Sequence, residues 1–312
     1  MTDSHDTTTA DRRPVLCEVR DRVAIVSLNR PHRSNAWNGA MHAALIATMS
    51  ELETRDDVRA VVITGMGRAF SVGGDAAALS DHADRGSYDP GIPDDLVRPG
   101  SRDAAWDEDL SWLLGYRWPV IAAVNGACAG VALALVAFCD LRFVAAGAKM
   151  TTAAPRLGLP AEYGLSWTLP RLIGTTRAAD LLLSGRVFTG AETAEWGLWN
   201  GVCEDGPATV DAAMAWAHNL ATTTGPTAVA TAKRQLHADW LATTPAESVA
   251  ESKRGLIPLW VPRSTERASR PSPKGALRSS DPTHRPPPVS QGSRSNLEHE
   301  MRRSRFTDTL AT

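Results

Sequence analysis

Apolar residues along this chain come in short runs, and glycine or proline closes most of them. Val15 to Arg20 and Val23 to Asn29 predict two strands joined at Asp21-Arg22. Ala60 to Thr64 and Val120 to Val124 predict two more, apolar throughout, as strands covered on both faces are. Each of these last two feeds a glycine-rich turn. The first is followed by Met66 to Asp75, ending Ser71-Val72-Gly73-Gly74-Asp75. The second is followed by Asn125-Gly126 and then Ala129-Gly130. Val131 to Phe138 carries no charge and has the length of a buried helix. The first N–H groups of such a helix lack partners and carry the positive end of its dipole, so they can hold negative charge on an oxygen. Two such turns can converge on one oxygen, which one turn cannot do.

The rest of the pattern is helical. Asn38 is placed to cap a helix over Gly39 to Glu53, whose apolar positions include Met41, Leu45 and Met49. Further helices are expected over 104–116, 165–172, 176–183, 191–197, 212–222 and 227–240. Short strands are expected over Leu141 to Ala145 and Lys149 to Thr152. Residues 80–102 read as a long polar loop of the functional or mobile kind. Residues 1–13 read as disordered, 14–253 as one domain, and 254–312, rich in Arg, Ser and Pro, as a disordered basic tail. A genuine extension and a shifted reading frame both fit that tail. The second is the working expectation, which resequencing of the coding region tests.

Composition then removes whole classes of function. A net charge of −2 gives no electrostatic case for nucleic acid as main partner. No apolar run spans a membrane, and the polar N-terminus lacks a secretory core. The four cysteines, Cys17, Cys128, Cys139 and Cys203, have no paired spacing and read as free thiols of a reducing cytoplasm. The eight histidines lack ligand spacing, so no metal is expected. Gly65-Met66-Gly67 lacks the third glycine of a dinucleotide fingerprint, and no serine-hydrolase elbow occurs.

Three stretches, VAIVSLNRPHRSNAW (from Val23), VVITGMGRAFSVGGD (from Val61) and PVIAAVNGACAG (from Pro119), together resemble the crotonase superfamily, or enoyl-CoA hydratase/isomerase family. Order and spacing match from about Val15 to about Ala250. The resemblance implies an α/β fold, a spiral of ββα units with a helical C-terminal region, assembled as a homotrimer or hexamer. It implies an acyl-CoA substrate whose thioester oxygen rests on the N–H groups of Gly74 and Val131, with CoA part of the substrate and no separate cofactor. It suggests Arg30 for the CoA phosphates; Ala76, Tyr163 and Trp167 are further substrate-binding candidates, Trp167 as a wall of the acyl pocket. The family's hydratases add water with two glutamates, and those positions here hold Ala134 and Ala154, which cannot move a proton. Glu162, in Leu159-Pro160-Ala161-Glu162-Tyr163-Gly164, matches the carboxylate that other branches use. Asp75, Asn125 and Asp140 read as structural. The resulting expectation is an enzyme that isomerises or hydrates an enoyl-CoA in fatty-acid metabolism with one carboxylate. The alternative is an acyl-CoA-binding or RNA-binding paralogue without catalysis. A second proton donor could lie near Asp107 to Asp109 or at Tyr163, with no spacing argument for either.

Overall fold

β1 (Val15–Arg20) and β2 (Val23–Leu28) form an antiparallel hairpin. Its two turn residues, Asp21 and Arg22, both take positive φ, 46° and 69°. A two-residue turn needs that backbone to match the strand twist. The computed structural model describes residues 13–75, 97–100, 104–241, 244–245, 248–249 and 252–254, all within a unit formed by residues 1–261. The expected disordered segments, 1–13 and 254–312, lie outside them apart from Arg13 and Arg254, as does most of the loop over 80–102.

From β2 onward the larger sheet is parallel. β2 pairs with β3 (Ala60–Gly65), β3 with β5 (Val120–Val124), β5 with β7 (Leu141–Ala145) and β7 with β10 (Gly201–Cys203). The smaller sheet runs β4 (Ala69–Ser71), β6 (Ala127–Ala129), β8 (Lys149–Thr151) and β9 (Phe188–Thr189). The chain therefore spirals. β3 leads to β4, β5 to β6, and β7 to β8, each step leaving one strand in each sheet. After β6 comes the helix α3 (Val131–Phe138).

Side-chain alternation explains why the large-sheet strands are apolar throughout. Val23, Ala60, Val62, Ile121, Ala123 and Phe143 face one way, against Ala213, Ala217 and Ala221 of α6 (Gly206–Thr223). Alanines four apart form a shallow ridge, so the helix can lie close to the sheet. The intervening residues Ala24, Val26, Val61, Ile63, Ala122 and Val124 face the main core. There they join Met41, Leu45 and Met49 of α1 (Gly39–Thr54) and the whole of α3.

Asn38 caps α1 as expected, its side chain accepting from the Met41 N–H at 3.0 Å. α4 (Leu165–Ile173), α5 (Thr175–Ser184) and α7 (Pro226–Ala238) fall where the periodicity places them. α6 starts six residues before the expected 212, because Asp205 caps it through the Ala208 N–H with Pro207 in its first turn. Two helix expectations fail. Over 104–116 there is a single turn at Ala104–Trp106 and then α2 (Trp112–Gly115). Leu110 between them takes φ 64°, which no helix tolerates. Over 191–197 there are only turns. The Ala191 N–H donates to Ala146, and the Thr193 hydroxyl bonds back to the Thr189 carbonyl at 2.9 Å.

Candidate active site

The two glycine turns are brought together by strand pairing. β4 and β6 are parallel neighbours, so the turns that leave them emerge at the same edge. They touch there: a Cβ on Gly73 would lie 2.8 Å from the Ala129 carbonyl oxygen. Gly73 also has φ +87°. Gly73→Ala should therefore cost about 1–3 kcal/mol of stability and wedge the turns apart. A urea melt with activity measured in parallel checks this, and an unchanged midpoint would refute the contact.

Side chains lock the turns further. Asn125, at the end of β5, donates to the carbonyls of Gly65 (2.9 Å) and Gly67 (3.0 Å) and accepts from the Gly65 N–H (3.1 Å). Buried Asn35 donates to the carbonyls of Met66 and Ala69. The Trp37 backbone straddles Gly74, its N–H donating to Gly73 (2.7 Å) and its carbonyl accepting from Asp75 (2.8 Å). In a parallel bridge of this kind the N–H of the straddled residue points to the other side. The Gly74 N–H has no protein acceptor among the described residues, and neither does the Val131 N–H at the start of α3. Gly130, before it, spends its own N–H on Thr151 at 3.1 Å and takes φ 53°.

The carboxylate candidate lies on a cavity of about 400 Å³ lined by Glu108, Asp109, Ser111, Phe138, Glu162, Tyr163 and Gly164. Phe138 ends α3, and Gly164 packs on it, where a Cβ would come within 3.0 Å of Phe138 Cζ. Tyr163 and Gly164 both have positive φ, 49° and 73°, so the chain bends sharply beside Glu162 before α4 begins. Glu162 is half-buried, and its carboxylate has no hydrogen-bond or ionic partner among the described residues. Burial holds its pKa above the usual glutamate value and pushes the Tyr163 phenol up to about 12. Ala134 and Ala154 are both buried in the core.

The remaining candidates have the following surroundings. Arg30 is pinned, one nitrogen 2.9 Å from Asp75 and the other donating to the Ala36 carbonyl at 2.5 Å. It ties the first turn to the loop before α1. Trp167 stacks edge-on with Trp240 (5.3 Å) under the Arg171 guanidinium (4.1 Å), away from the lining of the Glu162 cavity. Ala76 lies outside the described residues. Sequence reasoning named the Asp107–Asp109 segment without a reason. The reason is tertiary: Glu108 and Asp109 of that segment line the same cavity as Glu162. Among the described residues no cluster of three His, Cys, Asp or Glu is gathered as a metal would need, and no helix is long and apolar enough to cross a membrane.

Comparison with known proteins decides the family. The family described as enoyl-CoA hydratase/isomerase matches residues 18–255. The chain belongs to the enoyl-CoA hydratase/isomerase family. Among its relatives is mevalonyl-coenzyme A hydratase from Beauveria bassiana, 32% identical over 241 residues, covering 76% of this chain and 83% of that protein. Another is 1,2-epoxyphenylacetyl-CoA isomerase from Escherichia coli, 35% identical over 210 residues, covering 67% and 76%. Among solved structures, an enoyl-CoA hydratase from Mycobacterium tuberculosis superposes with a TM-score of 0.68 at 28% identity, covering 82% of this chain and 94% of that one. The fold is thus the crotonase fold, and the chain is an enzyme-family member whose relatives include both hydratases and isomerases.

Proposed function

We propose that this family member acts on the acyl group of a CoA thioester, with Gly74 and Val131 as the oxyanion hole and Glu162 as the acid/base. The observation that carries this is two N–H groups on touching turns that have no protein acceptor among the described residues, together with a desolvated carboxylate, also without a partner among them, on a cavity lined by Phe138 of the same helix α3.

The chemistry follows from the charges. Taking a proton from carbon beside a thioester sends the electron pair to the carbonyl oxygen. Two fixed N–H donors stabilise that oxygen, each being worth about 3 kcal/mol of barrier. A carboxylate with a raised pKa holds the proton long enough to return it to a second carbon. CoA then enters and leaves with the substrate, and no further cofactor takes part. With Ala134 and Ala154 at the usual glutamate positions, proton transfer between two carbons asks least of these residues.

The test is to incubate the protein with a 2-enoyl-CoA and, separately, a 3-enoyl-CoA, following mass and ultraviolet absorbance. Conversion of the 3-enoyl substrate at constant mass is expected. Absence of any reaction with both, alongside a raised Tm in their presence, would instead support a protein that only binds acyl-CoA.

A further inference from the structure

Glu162 shares its cavity with two other carboxylates, Glu108 and Asp109, which come from a different segment. The two differ in how they are held. Glu108 is exposed. The Asp109 side chain is only 19% exposed, and Arg98 grips it, Nη2 at 3.1 Å and Nε at 3.3 Å from Oδ1. Behind Asp109 stands His42 of α1, 1% exposed, with Nε2 3.9 Å from the same oxygen. Neither nitrogen of His42 has a hydrogen-bond partner among the described residues. Its neighbours on α1, Met41, Leu45, Ile46 and Met49, are buried and apolar. A buried imidazole without partners is costly, and an apolar residue would fill that core position at no such cost. What His42 faces is a carboxylate on the cavity wall.

We propose that Asp109 is the second acid/base group of this site, gripped by Arg98 and backed by His42, and that it acts on water across the cavity from Glu162. This rests on the reading of Glu162 given above. The two carboxylates have divided roles. Asp109, in its ion pair, is the acceptor. Glu162, alone and desolvated, is the group that carries a proton. For a 2-enoyl thioester, a water O–H bond breaks and its proton goes to Asp109. The water oxygen bonds to C3 while the C2–C3 π pair moves to the thioester oxygen, held by the Gly74 and Val131 N–H groups. The carbonyl re-forms as C2 takes the proton from Glu162. One water is added, Asp109 ends protonated and Glu162 ionised, and both reset by proton exchange with solvent at the exposed Glu108 side. The pair lost at Ala134 and Ala154 is thereby rebuilt from two other positions.

Asp109→Asn, Asp109→Glu and Glu162→Gln in the full chain separate the roles. Crotonyl-CoA is the hydration probe, read as a mass gain of water, and 3-hexenoyl-CoA is the isomerisation probe, read at constant mass. Asp109→Asn should lower hydration about 100-fold or more while isomerisation persists. Asp109→Glu should recover part of the hydration, and Glu162→Gln should lose both reactions. Asp109→Ala carries the same expectation and replaces the Asn variant if that one melts early. Hydration at the wild-type rate in Asp109→Asn overturns the proposal, as does equal loss of both reactions or a wild-type protein that isomerises but never adds water. If Glu162→Gln instead keeps both reactions, it is the reading of Glu162 that fails.

Discussion

Glu162→Gln is expected to lower turnover about 10²–10⁴-fold while the protein still folds and still binds CoA thioesters. The variant keeps the size and polarity of the side chain and removes its ability to exchange a proton. Because the carboxylate makes no hydrogen bond or ion pair among the described residues, none of those contacts is lost with it. Linkage gives the sign of any effect on stability. A glutamate whose native pKa is raised by burial favours folding most when protonated, and its ionised form weighs against the native state above that raised value. The Gln variant should therefore melt at or slightly above the wild-type temperature at neutral pH. The wild-type rate of proton abstraction should rise as pH passes the raised Glu162 value, and the Gln variant should lose that rise. A pH–rate profile with paired melting curves checks both points. A variant that loses activity and melts well below the wild type would assign Glu162 to the scaffold.

Lys233→Met should destabilise the fold by about 3–5 kcal/mol, the largest stability effect expected here. Lys233 and Asp140 form a buried pair, Nζ to Oδ2 at 2.7 Å, with side chains 5% and 9% exposed. His237 donates to the other Asp140 oxygen at 2.7 Å, and the Val120 N–H at the start of β5 donates to Oδ2, also at 2.7 Å. Lys233 in turn donates to the Trp118 carbonyl at 2.9 Å. This cluster fastens α7 to the first residue of the strand that leads into the Val131 turn. Burial by itself would raise the Asp140 pKa. The charge of Lys233 and the hydrogen bond from His237 more than offset it, and the net direction is down. A depressed carboxylate contributes its stability above the ordinary aspartate pKa, about 3.9, and loses it as pH falls through the lower native value. Acid unfolding should therefore steepen below about pH 4, and Asp140→Asn should flatten that limb. A double-mutant cycle of Asp140→Asn with Lys233→Met, followed by urea melts from pH 2 to 7, measures the coupling. Additive effects would show that the pair contributes nothing jointly.

What the sequence determined by itself was whatever a short window of chain controls. The unbroken apolar runs of β3 and β5, the Asn38 cap and the glycine turns depend on neighbours a few residues away, and all are legible as such. So was the departure from the glutamate pair that the resemblance implies, since Ala134 and Ala154 can be read against the spacing of the turns. The helices expected over 104–116 and 191–197 show the limit of that window. There the backbone turns aside at Leu110, or the Ala191 N–H is drawn to the Ala146 carbonyl, 45 residues back, and propensity is overridden. Tertiary structure alone decided what the site contains. The pairing of β4 with β6 sets the two turns in contact, and Asn125, reaching back 60 residues to Gly65, and Asn35, reaching forward to Met66 and Ala69, hold the first turn in place. Asp140 reads as a cap until His237, 97 residues on, closes over it with Lys233. Asp109 and Glu162 have no spacing that relates them, and they meet because two loops fold over one cavity beside Phe138. Chain entropy makes such long-range meetings invisible to local pattern, since their cost is met by the packing of the whole core and not by the residues that meet.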